Sequence, residues 1–146
     1  LMKEIIMKKV LLIIGMLLVG AVAFAGKYED GLKERMNVVE EKFQVGLDSG
    51  VTADMLNASH GLTAEWEEEL NKVYNLILKK LPAKEKSKFK AEQEKWIKSR
   101  KAAIKKALAD EEDGPKMALF GEAGTEYELT KARVLELAKR YDKLNK

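Results

Sequence analysis

Two long apolar stripes meet at a proline, and that junction restricts the chain to helices more than any other feature does. Met55, Ser59, Leu62, Trp66, Leu70, Val73, Ile77 and Leu81 recur at steps of three and four up to Pro82. Phe89, Trp96, Ile97 and Ile104 resume the same step beyond it. That spacing lays side chains along one face of an α-helix, whereas a half-buried strand needs strict alternation. Pro82 biases Leu81 away from helical angles, so one helix ends there and the next turns back beside it as a hairpin.

Further helices flank the pair. Tyr28, Leu32, Met36, Val39, Phe43 and Leu47 share one face, and Asp48-Ser49-Gly50 stops that segment. Thr52 is a suitable N-cap for the next helix, with Asp54 in its first turn, and His60-Gly61 marks a point where it can bend or divide. The helix from about Ala83 to Ala109 is densely basic on its outer face. Asp110-Glu111-Glu112-Asp113-Gly114-Pro115 ends it and opens a loop expected to continue through Gly121 and Gly124. Thr125-Glu126-Tyr127-Glu128 has the form of a capping box for a last helix that turns Tyr127, Val134, Leu137, Ala138, Tyr141 and Leu144 inward. No segment shows sustained period-two alternation. The expected fold is all-α, a compact bundle of about four helices with a central helical hairpin.

The first residues read as an export signal. Lys8 and Lys9 precede the apolar run Val10 to Phe24, and Ala23-Phe24-Ala25 supplies a small-residue cleavage site. Residues 1–25 are therefore expected to be a cleaved signal peptide, with 26–146 a single helical domain. An uncleaved anchor is the competing reading; the run, interrupted by Gly15 and Gly20, falls short of the roughly 20 apolar residues a bilayer span needs. Met7 begins a better-formed signal than Leu1 or Met2 does.

Cleavage would change the charge balance. The whole chain has 27 basic and 24 acidic side chains; without Lys3, Lys8, Lys9 and Glu4 these become 24 and 23, a net of about +1. Nucleic acid loses its main support as a partner, because backbone binding needs a concentrated positive face. There is no cysteine, hence no disulfide and no lipid-modified N-terminal cysteine. Stability must come from helix packing, no stable membrane anchor is expected after cleavage, and the expected location is periplasmic or secreted.

Several polar residues lie among the apolar ones. Gln93 and Arg100 fall in the middle of the Phe89, Trp96, Ile97 and Ile104 face, where a guanidinium without partners would cost several kcal/mol. Either Arg100 ties its helix to a neighbour with Gln93 bonded beside it, or Arg100, Gln93 and Trp96 line a binding groove. Trp66, Tyr74 and Trp96 are aromatics at core spacing. Asn71, at the edge of the stripe near Tyr74, is placed to bond across the hairpin.

Catalytic and metal signatures are missing. His60 is the one histidine and has no cysteine to accompany it, so no transition-metal site is expected. Asp110 to Asp113 lacks the alternating ligands of a calcium loop and reads as a solvated acidic turn. No nucleophile elbow or phosphate loop occurs, and the carboxylates fall mostly on outward faces. The chain is not expected to be an enzyme or to carry a cofactor.

The series Thr52-x-x-Met55-x-x-Ala58, Trp66, Leu70-Asn71-x-x-Tyr74, Leu81 and Gln93-x-x-Trp96-Ile97-x-x-Arg100 resembles the domain of the LprI-like lysozyme inhibitor family. Gly121-x-x-Gly124-Thr125 and Thr130-x-x-Arg133 are similar to that domain's end. The resemblance covers roughly Val51 to Leu137. It implies a small exported helical domain of the bacterial envelope, some members of which inhibit lysozyme, and it makes Trp66, Leu70, Asn71, Tyr74 and Arg133 family-motif positions of structural character. Family members commonly carry cysteines, one of them where Ala58 stands here, and this chain departs from that pattern.

The function expected from this resemblance is an exported helical binding protein that inhibits a lysozyme by occluding its cleft. Many lysozymes are cationic, so Asp110, Glu111, Glu112 and Asp113, with Glu65, Glu67, Glu68 and Glu69, are candidates for contact and steering, beside Trp96, Arg100 and Gln93. The alternative is a structural or adhesive envelope module that self-associates, or binds another envelope protein, through the near-heptad seam from Met55 to Ile77.

Overall fold

The computed structural model describes residues 27–146; the expected signal peptide, 1–25, lies outside the described residues. Four helices follow one another: α1 Tyr28–Leu47, α2 Thr52–Lys80, α3 Ala83–Ala109 and α4 Pro115–Leu144. The all-α expectation holds.

Several boundaries have an identifiable cause. The backbone N–H groups of Tyr28 and Glu29 donate to the Asp142 carboxylate at 2.6 and 3.0 Å, so a side chain from the end of the bundle caps the start of α1. Gly50, with φ +72°, makes the turn into α2. Val51 rather than Thr52 occupies the cap position of α2, and Ser49 Oγ accepts from the Val51 N–H at 3.1 Å. Leu81 is extended, ψ 142°, in front of Pro82.

The segment after the acidic turn corrects the expectation. No loop runs through Gly121 and Gly124, and Thr125 caps nothing: α4 starts ten residues earlier, at Pro115, and is continuous. Gly114 turns the chain at φ +93°, and Pro115 presets the first helical φ without needing a donor. The two glycines each cost about 1 kcal/mol relative to Ala in a helix. Ala118 and Ala123 are buried in the same stretch, so packing along α4 offsets that cost.

Packing sets the arrangement. Pairings between α1 and α2 (Arg35 with Glu69), α2 and α3 (Tyr74 with Phe89, Arg100 with Glu67), and α3 and α4 (Arg133 with Gln93) all run in opposite senses, which makes an up-down-up-down bundle. Helices α2 and α4 are parallel and most extensively packed; α1 and α3 lie at the outer corners of a lozenge. Burial follows. Helix α2 buries eight residues and α4 seven, against two each on α1 and α3. The seam of Leu62, Trp66, Leu70, Val73 and Ile77 is closed within the chain.

His60-Gly61 does not divide α2, which is continuous from Thr52 to Lys80. A Cβ on Gly61 would lie 2.6 Å from Phe43 Cε1, and one on Gly46 would lie 2.7 Å from the Ala58 Cβ. These two glycines let α1 approach α2 closely.

Candidate functional site

A polar network fills the angle between α2, α3 and α4. Its centre is Arg133, whose side chain is 4% exposed. Nε donates to Gln93 Oε1 at 3.1 Å, Nη2 to Glu92 Oε1 at 2.9 Å and Nη1 to Glu136 Oε1 at 3.0 Å. Arg140 donates to the other Glu92 oxygen at 3.0 Å. Burial pushes the Glu92 carboxyl up, but the hydrogen bonds from Arg133 and Arg140 outweigh it and hold the group below its usual range.

Arg100 extends the network about two turns along α3 from Gln93. Its Nη1 donates to Glu67 Oε1 at 2.6 Å and to Thr130 Oγ1 at 2.9 Å, joining α3 to both central helices. Trp96 lies between the two guanidinium groups, its ring centroid 4.9 Å from Arg100 and 5.8 Å from Arg133. The structure thus brings Gln93, Trp96, Arg100 and Arg133 together, with both guanidinium groups and the Gln93 carbonyl bonded within the chain and Trp96 packed against the guanidinium groups.

The other sequence-singled residues lie elsewhere. Trp66 and Leu70 are buried in the core, while Tyr74 is half-buried and stacks on Phe89 with centroids 5.0 Å apart. Asn71 is exposed, and its side chain makes no hydrogen bond among the described residues. Within the acidic run of α2, Glu69 is buried and bonded by Arg35 and Lys72, and Glu67 is taken by Arg100. Glu68 stays exposed.

Asp110 to Asp113 form the α3–α4 turn, ten or more residues along the helix from Arg100, a separation of about 15 Å or more. All four are exposed, and none is in an ion pair among the described residues. The one side-chain bond here is internal: Asp110 Oδ1 accepts from the Glu112 N–H at 3.2 Å. Leu108, Met117 and Leu119, all at least 40% exposed, flank the turn. Val45 and Val51 are exposed at the same end, beside the α1–α2 turn.

A second cluster was not anticipated from the sequence. Glu40 accepts from Tyr127 Oη at 2.8 Å and Lys131 Nζ at 2.7 Å, and Lys131 Nζ sits 5.3 Å above the Trp66 ring. The indole N–H of Trp66 is buried without a well-formed hydrogen bond, although it helps these groups lower the Glu40 pKa against its burial. Lys131 follows Tyr127 by four residues, so the two share one side of α4. Across the bundle, His60 Nδ1 lies 3.5 Å from Glu126 Oε2. Among the described residues no three His, Asp or Glu side chains converge as a metal site would require.

A family profile described as "Lysozyme inhibitor LprI" matches residues 47–137, more than half of the chain. The chain belongs to the LprI lysozyme inhibitor family. No curated protein and no solved structure matches it. The LprI match spans α2, α3, the acidic turn and α4 up to Leu137, and so includes both the Arg133 network and the unpaired turn. Nearly all of α1 precedes it; among the matched residues Glu69, Tyr127 and Lys131 bond to α1.

Proposed function

We propose that this LprI-family protein is exported and inhibits a lysozyme by lodging the α3–α4 end of the bundle in the enzyme's substrate cleft. The observation that carries the reading is the turn itself: four exposed carboxylates with no ion-pair partner among the described residues, flanked by exposed Leu108, Met117 and Leu119. Unpaired carboxylates steer a cationic partner, and apolar side chains around them supply contact area that desolvates on docking. Inhibition by occlusion needs no catalytic group. Gln93, Arg100 and Arg133 serve this function indirectly, by holding α3 against α4 so that the turn between them is presented in one position. Self-association through the α2 seam has no support, because that seam is filled by α1 and α4.

The test is lysis of bacterial cell walls by c-type, g-type and i-type lysozymes with the chain from Gly26 titrated in. Stoichiometric inhibition of one class is expected, weakening as salt rises. The variant D110N/E111Q/E112Q/D113N should lose about tenfold or more in affinity without a change in melting. Absence of inhibition by folded protein at saturation would overturn the reading, and an unchanged affinity in the variant would remove the turn from it.

A further inference from the structure

Helix α3 carries nine lysines, and six of them gather on one side, while Lys86, Lys90 and Lys101, with Glu94, lie beyond one edge of that group. At 100° per residue, Lys84, Lys88, Lys95, Lys98, Lys105 and Lys106 fall within an arc of about 100° on the side away from Phe89. All six are exposed, and none pairs with a carboxylate among the described residues. The remaining positions of that arc are Ser87, Ala91, Ala102 and Ala109, also exposed. No carboxylate and no aromatic ring occurs in it.

All four arginines of the chain, by contrast, are held in ion pairs. Residues 26–146 carry 24 basic and 23 acidic side chains; with these six lysines set aside, 18 basic face 23 acidic, a net of about −5. A nearly neutral domain has placed a charge of about +6 on one ridge. Self-repulsion among unpaired lysines makes such a face unfavourable for the isolated fold.

We propose that the outer face of α3 is a reversible docking site for an anionic phospholipid bilayer, which the bundle meets side-on. The shape favours a flat partner. Helix α3 occupies an outer corner of the lozenge, so the face is a convex, straight ridge about 33 Å long from Lys84 to Lys106. Long lysines rise from a low floor of Ala and Ser, and one plane reaches all six ammonium groups. Proteins that follow a single nucleic-acid strand use a groove with aromatic platforms, which this ridge lacks. Lysine is a compact point charge suited to headgroup phosphates in any orientation, where arginine would impose a bidentate geometry. Clusters of four to eight such cations are what anionic leaflets recruit. With no ring in the arc to insert, binding is by adsorption and is reversed by salt. In this pose the acidic turn lies at the end of the ridge and stays accessible. The proposal stands independently of the lysozyme reading.

Sedimentation with vesicles tests it, using the chain from Gly26 with the full chain beside it. One set is phosphatidylcholine alone, the other includes about one-third phosphatidylglycerol. Binding to the anionic vesicles only is expected, with release between about 0.05 and 0.5 M salt. The variant K84Q/K88Q/K95Q/K98Q should weaken binding about tenfold or more, while K42Q/K79Q/K116Q/K143Q, with the same change in net charge, should weaken it less than about threefold. Gln matches Lys in helix propensity, and a melting curve verifies that both variants fold. Equal losses in the two variants, or no binding to anionic vesicles, would overturn the proposal. So would tighter binding to single-stranded DNA or polyphosphate than to the vesicles.

Discussion

Replacing Arg133 with Ala should be among the most damaging single changes in the bundle, and its cost follows from three separable losses. Gln93 Oε1 is buried and would lose its guanidinium donor, a desolvation penalty of about 1–3 kcal/mol. The missing side chain leaves a void between α3 and α4, worth about 1–2 kcal/mol. Glu92 and Glu136 are 43% and 61% exposed, so water replaces much of what they lose, and together they add about 0–1 kcal/mol. The total is about 2–6 kcal/mol, or roughly 8–20 °C in Tm for a domain of this size. Arg133→Met keeps the volume and should cost about 2 kcal/mol; adding Gln93→Leu removes the orphaned amide and should recover about 1 kcal/mol. Arg100→Ala should cost only about 1–1.5 kcal/mol, because Arg100 is 18% exposed, Glu67 41%, and Thr130 still donates to the Glu126 carbonyl at 2.7 Å. Urea unfolding followed by helical circular dichroism measures all four. If Arg133→Ala costs no more than Arg100→Ala, or Gln93→Leu recovers nothing, the network does not centre on a buried guanidinium and the reasoning fails.

Two further outcomes follow from the geometry. Gly61→Ala should lower stability by about 1–3 kcal/mol although Ala is the better helix former, since its methyl meets the Phe43 ring; Gly124→Ala, with nothing within 4 Å, should raise it by up to about 1 kcal/mol. Melting temperatures of the two variants with opposite signs would bear this out, and two increases would remove the α1–α2 close approach. For pH, burial raises the carboxyls of Glu40, Glu69 and Glu92, but hydrogen bonds from Lys131 and Tyr127, from Arg35 and Lys72, and from Arg133 and Arg140 leave all three below their ordinary value of 4.5. The folded state then binds these protons less readily than the unfolded state, so the stability they confer is full above about 4.5 and is lost as pH falls through the folded values. Tm should hold between about pH 7 and 5 and drop below that, with a shallower drop in Glu69→Gln; an identical acid slope in that variant would dissociate the effect from Glu69.

Much of the fold was legible because burial leaves a period in the sequence. The stripes around Leu32 and Met36, from Leu62 to Ile77 and at Phe89 all turned inward, and Pro82 ended α2 where its effect on Leu81 requires. The error at the start of α4 was also physical. Gly121, Gly124 and the Thr125–Glu128 pattern are local signals for a loop and a cap, and Pro115 after Gly114 was a competing signal for a helix start; burial of Ala118 and Ala123 decided between them. Of the polar residues, Gln93 and Arg100 were identifiable as misplaced on an apolar face. Arg133 was marked only by resemblance, and Glu40 and Lys131 not at all, since charged side chains on half-exposed positions carry no local sign of their partners.

Because backbone propensity and hydrophobic period act within a few turns of chain, the sequence by itself determined the helical class, the stop at Pro82 and most of each apolar face, although Ile97 and Leu144, expected to turn inward, are 46% and 40% exposed. Only the tertiary structure decided that α2 and α4 lie parallel at the centre, that the buried guanidinium is Arg133 rather than Arg100, and that α3 takes an outer corner, which leaves its lysine face to solvent. Those outcomes depend on which helices pack against which, at what register. A long side chain finds its partner only after that packing has been set, so the pairing is a property of the assembled bundle and of no single segment.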